Sequence, residues 1–238
     1  LRKRVTTGNS ELDKMLLGGI PEGNHVLIAG GPGTGKTLSC FEFLYRNALN
    51  GDNGIFISLE EKKGSIISNA KDAFLEFADM DKLLDEQKII IEEYNLEGLI
   101  AKNKSGSENR YEFSNLMADI ISSVQSRNAK RVVIDSVSIL KLLLKDPLEY
   151  RALMISLLGT LRSINSTSMS TLEVQDYSSI QSDYPEFFLY DGLLVLNSPV
   201  GSNAVQSLQV AKMRGTAHSF QIVPYKITSG GIKLTGQV

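Results

Sequence analysis

Eight residues constrain this chain more than any others. Gly30–Thr37 reads GGPGTGKT and satisfies the pattern G-x-x-x-x-G-K-[ST]. It follows directly on the apolar run His25–Gly30, HVLIAG, and a segment of helical periodicity, Lys36–Leu49, follows it. A strand passing through a glycine-rich turn into a helix is the setting in which this pattern holds phosphate. Glycines at 30, 31, 33 and 35 let the backbone curl until its N–H groups converge on an anion, and the positive end of the helix faces the same point. Gly31, Pro32, Gly33, Thr34, Gly35, Lys36, Thr37 and Leu38 are the expected contacts to a nucleotide. Lys36 is expected at the β- and γ-phosphates, and the Thr37 hydroxyl at Mg2+.

The rest of the chain alternates in a way that fits this start. Ile55–Leu59, Lys88–Ile91, Arg131–Ile134 and Ser168–Val174 read as strands. Between them lie helical stripes at Ile66–Phe77, at Phe113–Val124, and from Asp146–Pro147 through Tyr150, Met154, Leu157, Leu158 and Leu161. Strands and helices in alternation predict an α/β fold with a mostly parallel, twisted sheet flanked by helices. After Asp191 the texture changes: Gly192–Asn197, Gln206–Lys212, Phe220–Ile227 and Ile232–Leu234 read as strands joined by short turns, which predicts antiparallel strands at the C-terminal side of the sheet. Ala101–Arg110 and Asp176–Glu186 read as loops. Neither reads as a linker between domains, so residues 1–238 are expected to form one domain.

Composition narrows the function classes. Of 238 residues, 42% are hydrophobic and 22% charged, as in an ordinary globular chain. The formal net charge of −2 supplies no overall basic field for nucleic acid or an anionic membrane. The single cysteine, Cys40, excludes an internal disulfide and a cysteine-based zinc site. The N-terminal LRKRVTTGNS is followed by no apolar run of signal-peptide length, and no stretch approaches 18 apolar residues, so a cytoplasmic protein without a membrane span is expected.

Three further groups bear on chemistry. Asp135 closes the apolar strand RVVID and is the expected second Mg2+ ligand beside Thr37. Glu60 and Glu61 follow IFISL; one carboxylate there can orient or deprotonate the attacking water while the other assists. Spacing alone fits equally well a solvated pair at a helix start, where negative charge is favoured. Lys212 and Arg214, in AKMRGTAH, share one face of a strand and make a pair suited to phosphate. Charges that protect an exposed edge strand are the plainer reading of the same pattern.

Taken together, the segments TTGNSELDKMLLGGIPEGNHVLIAGGPGTGKT, IFISLEE, RVVIDSVS, STSMSTLE, EFFLYDGLLVL, KMRGTAH and ITSGGIKL resemble the KaiC-like branch of the RecA/RadA ATPases over essentially the whole chain. The resemblance implies a RecA-like P-loop NTPase that uses ATP and Mg2+. It implies a homo-oligomeric ring, commonly a hexamer, with ATP held between subunits. Glu60 and Glu61 match the family's catalytic glutamates. Lys212 and Arg214, with Thr216 and His218 near them, match the segment that reaches a neighbouring subunit's phosphates, so the charged ribbon becomes a finger supplied in trans. The residues before Asp191 are Phe187, Phe188, Leu189 and Tyr190, with no serine or threonine where the family's clock protein carries its phospho-acceptors, which argues against autokinase activity. Phe220 and Ser229 also depart from residues common in the family.

The expectation is therefore an ATPase whose hydrolysis drives a conformational or assembly switch for a protein partner that the sequence does not name. Two alternatives stand beside it. One is a DNA-binding accessory protein akin to RadA paralogues; Asp176–Glu186 contains Asp176, Asp183 and Glu186 and no Lys or Arg, which counts against DNA. The other is a nucleotide-gated scaffold with little hydrolysis.

Overall fold

The computed structural model describes residues 2–94, 96, 109–144, 146–174, 184, 186–198 and 205–235. Its elements are β1 (Arg4–Val5), α1 (Ser10–Met15), β2 (Ile20–Pro21), β3 (His25–Gly30), α2 (Lys36–Leu49), β4 (Gly54–Ser58), α3 (Lys63–Ala73), α4 (Met80–Asp85), β5 (Ile89–Glu93), α5 (Asn109–Ser126), β6 (Arg131–Asp135), α6 (Ser138–Leu143), α7 (Pro147–Ser163), β7 (Thr167–Glu173), α8 (Glu186–Leu189), β8 (Gly192–Asn197), β9 (Ser207–Met213), β10 (Ile222–Thr228) and β11 (Gly231–Leu234).

Nine strands form one sheet in the order β11-β10-β9-β8-β3-β7-β6-β4-β5. The six from β8 to β5 are parallel, and β9, β10 and β11 continue the sheet in antiparallel sense. This is the expected α/β architecture with antiparallel C-terminal strands. Alternate side chains along each parallel strand enter opposite cores. Val26, Ile28, Phe56, Val133 and Met169 face α2, α3 and α4. Leu27, Ala29, Ile55, Ile57, Val132 and Ile134 face α5, α6 and α7. Cys40 is fully buried in the first of these cores. No helix among the described residues is long and apolar enough to cross a membrane.

Local chemistry accounts for several element ends. Asp146 accepts a hydrogen bond from the Leu148 N–H and Pro147 opens α7, at the helix start read from the sequence. The Asn9 side chain likewise accepts from the Leu12 N–H at the start of α1.

The stripe Ile66–Phe77 does not form one helix. α3 ends at Ala73, and Phe74 leaves helical geometry at φ −118° and ψ 67°. Phe77 still reaches the core from the following turn, stacked 4.0 Å from Tyr45 and 4.4 Å from Phe74, centroid to centroid. Burial preserved the period after the helix had stopped. α5 begins at Asn109, inside the stretch read as a loop, and α8 begins at Glu186, at the end of the other. The remainder of Asp176–Glu186, apart from Tyr184, lies outside the described residues, as does Ala101–108 of the first loop. β10 starts at Ile222, two residues later than expected, because Phe220 is exposed and packs on His218, with centroids 4.4 Å apart.

The C-terminal hairpin is fastened to the glycine-rich turn. The Tyr225 hydroxyl donates to the Thr34 carbonyl at 2.6 Å. Gly35 has φ +86°, and a Cβ there would stand 3.0 Å from Cδ1 of Ile227. Glu42, on α2, ties the far end of this hairpin to the N-terminal segment. Its Oε2 accepts from the Ile232 N–H at 3.2 Å, and Asn9 Nδ2 donates to the Ile232 carbonyl. Burial pushes the Glu42 carboxyl up to about 7; the Ile232 N–H and Arg46 oppose that shift, while Glu11 and Asp13 add to it.

Candidate active site

Four neighbouring parallel strands deliver one component each to the same edge of the sheet. In the order β3, β7, β6 and β4, they end at Gly30, Glu173, Asp135 and Ser58. Gly30 lies level with Glu173, and Ser58 level with Asp135. Ligands of open α/β sheets bind at this C-terminal edge, where loops and helix N-termini converge.

The turn after β3 has the conformation its glycines permit. Gly33 and Gly35 take φ of +73° and +86°, and a Cβ on Gly33 would meet nothing within 4 Å, which leaves a cradle open toward solvent. The Thr34 hydroxyl donates to the Gly31 carbonyl at 2.8 Å and braces the loop. Lys36 Nζ donates to the carbonyls of Gly30 and Gly31 at 3.0 and 2.9 Å, so its ammonium is held at the mouth of the cradle. Burial lowers the Lys36 pKa, and the charges of Glu173, Asp135 and Glu60 counter that effect.

Beside the cradle, the Thr37 hydroxyl donates to Asp135 Oδ2 at 2.7 Å, and the Thr171 hydroxyl donates to Asp135 Oδ1. The Asp135–Ser136 peptide is cis. Burial raises the Asp135 pKa against the pull of these two hydroxyls and of Lys36. One carboxylate and one hydroxyl meeting at the phosphate cradle are hard oxygen donors suited to Mg2+, which usually takes one or two protein ligands and completes its shell with phosphate and water. Among the described residues no cluster of three or more His, Cys, Asp or Glu side chains could hold a metal without such help. The donor set fits a metal that arrives with a nucleotide.

Glu60 and Glu61 diverge, as adjacent residues after a strand do. Both line the cleft with Pro32, Gly33, Lys36, Thr37, Asp135, Ser136 and Glu173. Ser136 lines the cleft beside Glu60 and its hydroxyl favours the charged carboxylate, while Asn69 Nδ2 donates to Glu61 at the edge of the cleft. Burial raises the pKa of Glu60 most, the nearby charges of Glu173 and Asp135 add to it, and the Ser136 hydroxyl and Lys36 oppose it. Glu61 is raised by burial and then by Asp135. A carboxylate with raised pKa, beside a hydroxyl and lining the same cleft as the glycine-rich turn, has the attributes of a base for water. Leu38 lines the adjoining cavity with Gly33, Gly35, Asn69, Asp72, Ala73 and Ile227. That cavity is open beside the cradle, where the nucleoside half of a nucleotide would extend.

Glu173 is a site residue to which the sequence reading gave no role. Like Asp135 it closes a buried strand, and its N–H donates to the Ser138 hydroxyl at 2.7 Å.

The remaining candidates do not join this cleft. Lys212 pairs across the sheet with Leu193, which is level with Leu27, and the Arg214 N–H donates to the Asp191 carbonyl, whose own N–H donates to His25 O. Arg214 thus lies level with the start of β3, five residues or about 16 Å from Gly30 along the strand. The two cations share a face, as their spacing predicts, and both address α8 and the residues after it. Lys212 Nζ donates to the carbonyls of Phe187 at 2.9 Å and Tyr190 at 2.5 Å. Arg214 donates to the Phe188 carbonyl at 3.0 Å and to Asp191 Oδ1 at 3.2 Å. Burial lowers the Lys212 pKa, and Arg214 lowers it further. Thr216 accepts from Arg4 at 2.6 Å, and His218 lies against Phe220 at the same end of the sheet. Of the aromatic residues near Asp191, Phe187 and Tyr190 are core while Phe188 is exposed.

Comparison with known proteins supplies the context for this arrangement. The family model described as "ATPase: KaiC" matches residues 5–238. A UPF0273 protein of Methanopyrus kandleri is 32% identical over 98% of this chain and 92% of its own length. The circadian clock oscillator protein KaiC of Synechococcus elongatus is 31% identical over 93% of this chain, and the match spans 42% of that longer protein. The crystal structure of a KaiC-like protein from Pyrococcus horikoshii superimposes with a TM-score of 0.80 at 29% identity, covering 99% of this chain and all of that one.

Proposed function

The chain belongs to the KaiC ATPase family, and we propose that it is a Mg2+-dependent ATPase that works as a homo-oligomeric ring, commonly of six subunits, each contributing one such domain. ATP lies at the subunit boundary, and hydrolysis switches the conformation or assembly of the ring for a protein partner.

Within one subunit the roles divide as follows. Gly31–Thr37 and Leu38 bind the nucleotide, with Lys36 on the β- and γ-phosphates. Thr37 and Asp135 hold Mg2+, which when bound neutralises charge between those phosphates. Glu60 takes the proton of the attacking water and Glu61 assists. Lys212 and Arg214, with Thr216 and His218 beside them, serve the next subunit's nucleotide.

One observation carries this reading. The glycine-rich turn, the Thr37–Asp135 pair and Glu60 share one cleft, while Arg214 stands at the opposite end of the sheet and the Lys212 ammonium is directed toward that end, at the carbonyls of Phe187 and Tyr190. A side chain reaches about 6–7 Å; Arg214 lies about 16 Å from Gly30 along β3, and Lys212, level with Leu27, lies about 10 Å along it and two strands, about 10 Å, to the side. Lys212 and Arg214 cannot serve the cleft of their own subunit, and a neighbour packed head to tail removes the difficulty.

The test is mass in solution together with ATPase rate as a function of protein concentration. Addition of ATP and Mg2+ is expected to give a ring-sized particle, and the rate per subunit is expected to fall as the ring is diluted apart. A chain that stays monomeric and fully active at every dilution would overturn the reading.

A further inference from the structure

Helix α8 has a single turn, too short to hold its own shape or place. It is fixed from both ends. At its C-terminal end, the carbonyls of Phe187, Phe188 and Tyr190 receive hydrogen bonds from Lys212 and Arg214. Cations are favoured there by the helix dipole. At its N-terminal end, the Glu186 side chain is fully buried, with Lys141 Nζ 2.6 Å from Oε1. Lys141 is the only cation within ion-pair distance of this carboxylate among the described residues. Tyr150 and Tyr184 present their rings to the Lys141 ammonium at 5.7 and 4.7 Å.

A buried carboxylate is costly to keep and has no part in the nucleotide cleft. Its position explains its presence. Four residues of helix span about 6 Å, so displacing Glu186 displaces the carbonyls that hold both cations. Lys141 lies on α6, which begins three residues after Asp135 and is tied to the site because the Ser138 hydroxyl accepts the Glu173 N–H. The ion pair therefore joins a firm element at the chain's own cleft to the one-turn helix that carries the outgoing cations.

We propose that the Lys141–Glu186 ion pair positions Lys212 and Arg214 for their contact with the neighbouring subunit's phosphates. This rests on the trans role given to those cations above. Glu186 and Lys141 are positioning residues; neither touches nucleotide.

The experiment compares full-length wild type with Glu186→Gln, Lys141→Met, Lys141→Arg and Arg214→Ala, measuring ATP affinity, kcat and KM, and melting temperature. Glu186→Gln and Lys141→Met are each expected to lower kcat by about tenfold or more, as small displacements of positioned groups do. ATP affinity and KM should change far less, because the phosphate cradle is untouched. Lys141→Arg, which restores the cation, should recover most of the rate. Lys141 is partly exposed, so its variants keep the test open even if Glu186→Gln folds poorly. Wild-type kcat in Lys141→Met, or no recovery in Lys141→Arg, overturns the proposal. If Arg214→Ala hydrolyses ATP like wild type, the trans reading falls and this inference with it. If Arg214→Ala is slow while the ion-pair variants are fast, the positioning role alone is lost.

Discussion

Glu42 offers a stability prediction with a definite sign and size. Its carboxyl is buried between α2, the Gly8–Asn9 segment and the Gly231–Ile232 turn, and its folded pKa is about 7 against 4.5 for the free group. A carboxyl with a raised folded pKa binds its proton more tightly in the native state than in the unfolded one. The contribution of this one group to stability is therefore greatest near and below pH 4.5, falls as pH rises toward 7, and levels off above that. The gap between 4.5 and about 7 corresponds to about 3 kcal/mol at pH 8. Glu42→Gln removes the titration while leaving an oxygen for the Ile232 N–H. Relative to wild type, the variant should be nearly equal in stability at pH 5 and up to about 3 kcal/mol more stable at pH 8. In a chain of this size that is a rise of roughly 6–12 °C in Tm. Urea unfolding of the nucleotide-free chain at both pH values measures the difference directly. It also cancels His25, whose pKa is lowered to about 4 by burial first and Arg162 next, and which removes stability as pH falls below 6.5. A Glu42→Gln variant that is less stable at pH 8, or whose offset is the same at both pH values, would refute the reasoning and show that Arg46 and the Ile232 N–H stabilise the carboxylate as an anion.

Three other outcomes are expected. Glu60→Gln should retain ATP and Mg2+ binding, measured with a fluorescent analogue, and lose turnover by about a hundredfold or more; unchanged turnover would remove the base assignment. In the wild type, the raised Glu60 pKa predicts a rate that falls with acidity already above the ordinary carboxylate range, and a profile flat down to pH 4.5 would contradict it. Asp135→Asn should raise the Mg2+ concentration needed for half-maximal rate by about tenfold or more, read from a metal titration, and an unchanged requirement would take Asp135 out of the metal shell. Tyr225→Phe removes the 2.6 Å hydrogen bond to the Thr34 carbonyl and should lower stability by about 1–3 kcal/mol in denaturant titration while weakening ATP binding; no loss of either would show that the hairpin does not brace the cradle.

What could be read from the sequence follows the range of the interactions involved. The cradle depends on adjacent residues, so Gly30–Thr37 declared itself, and Asp135 did so because Val and Ile fill the strand before it. Glu173 occupies the equivalent place one strand away. Its strand, TSMSTLE, buries Ser and Thr at most positions, so it carries no apolar run to draw attention to its end. The parallel sheet and its antiparallel extension followed from alternation and turn spacing. The short helices α1, α4, α6 and α8 span four to six residues, less than two turns, and leave no period to detect. The stripe to Phe77 misled because a turn beyond α3 returned an aromatic ring to the same core. The holding of Lys212 and Arg214 by carbonyls more than 20 residues away is a tertiary fact that no local pattern encodes.

The central claim, that one subunit completes the catalytic cleft of the next, is tested most directly by mixing two inactive variants. Lys36→Ala destroys the cradle and keeps the outgoing cations; Arg214→Ala keeps the cradle and lacks the arginine it would offer. Each alone should hydrolyse ATP at background rate. After co-assembly in equal amounts, random neighbours place an intact cleft against an intact arginine at about one boundary in four, so about a quarter of the wild-type rate should return. A mixture that forms rings and remains at background, or an Arg214→Ala protein active by itself, would contradict the account.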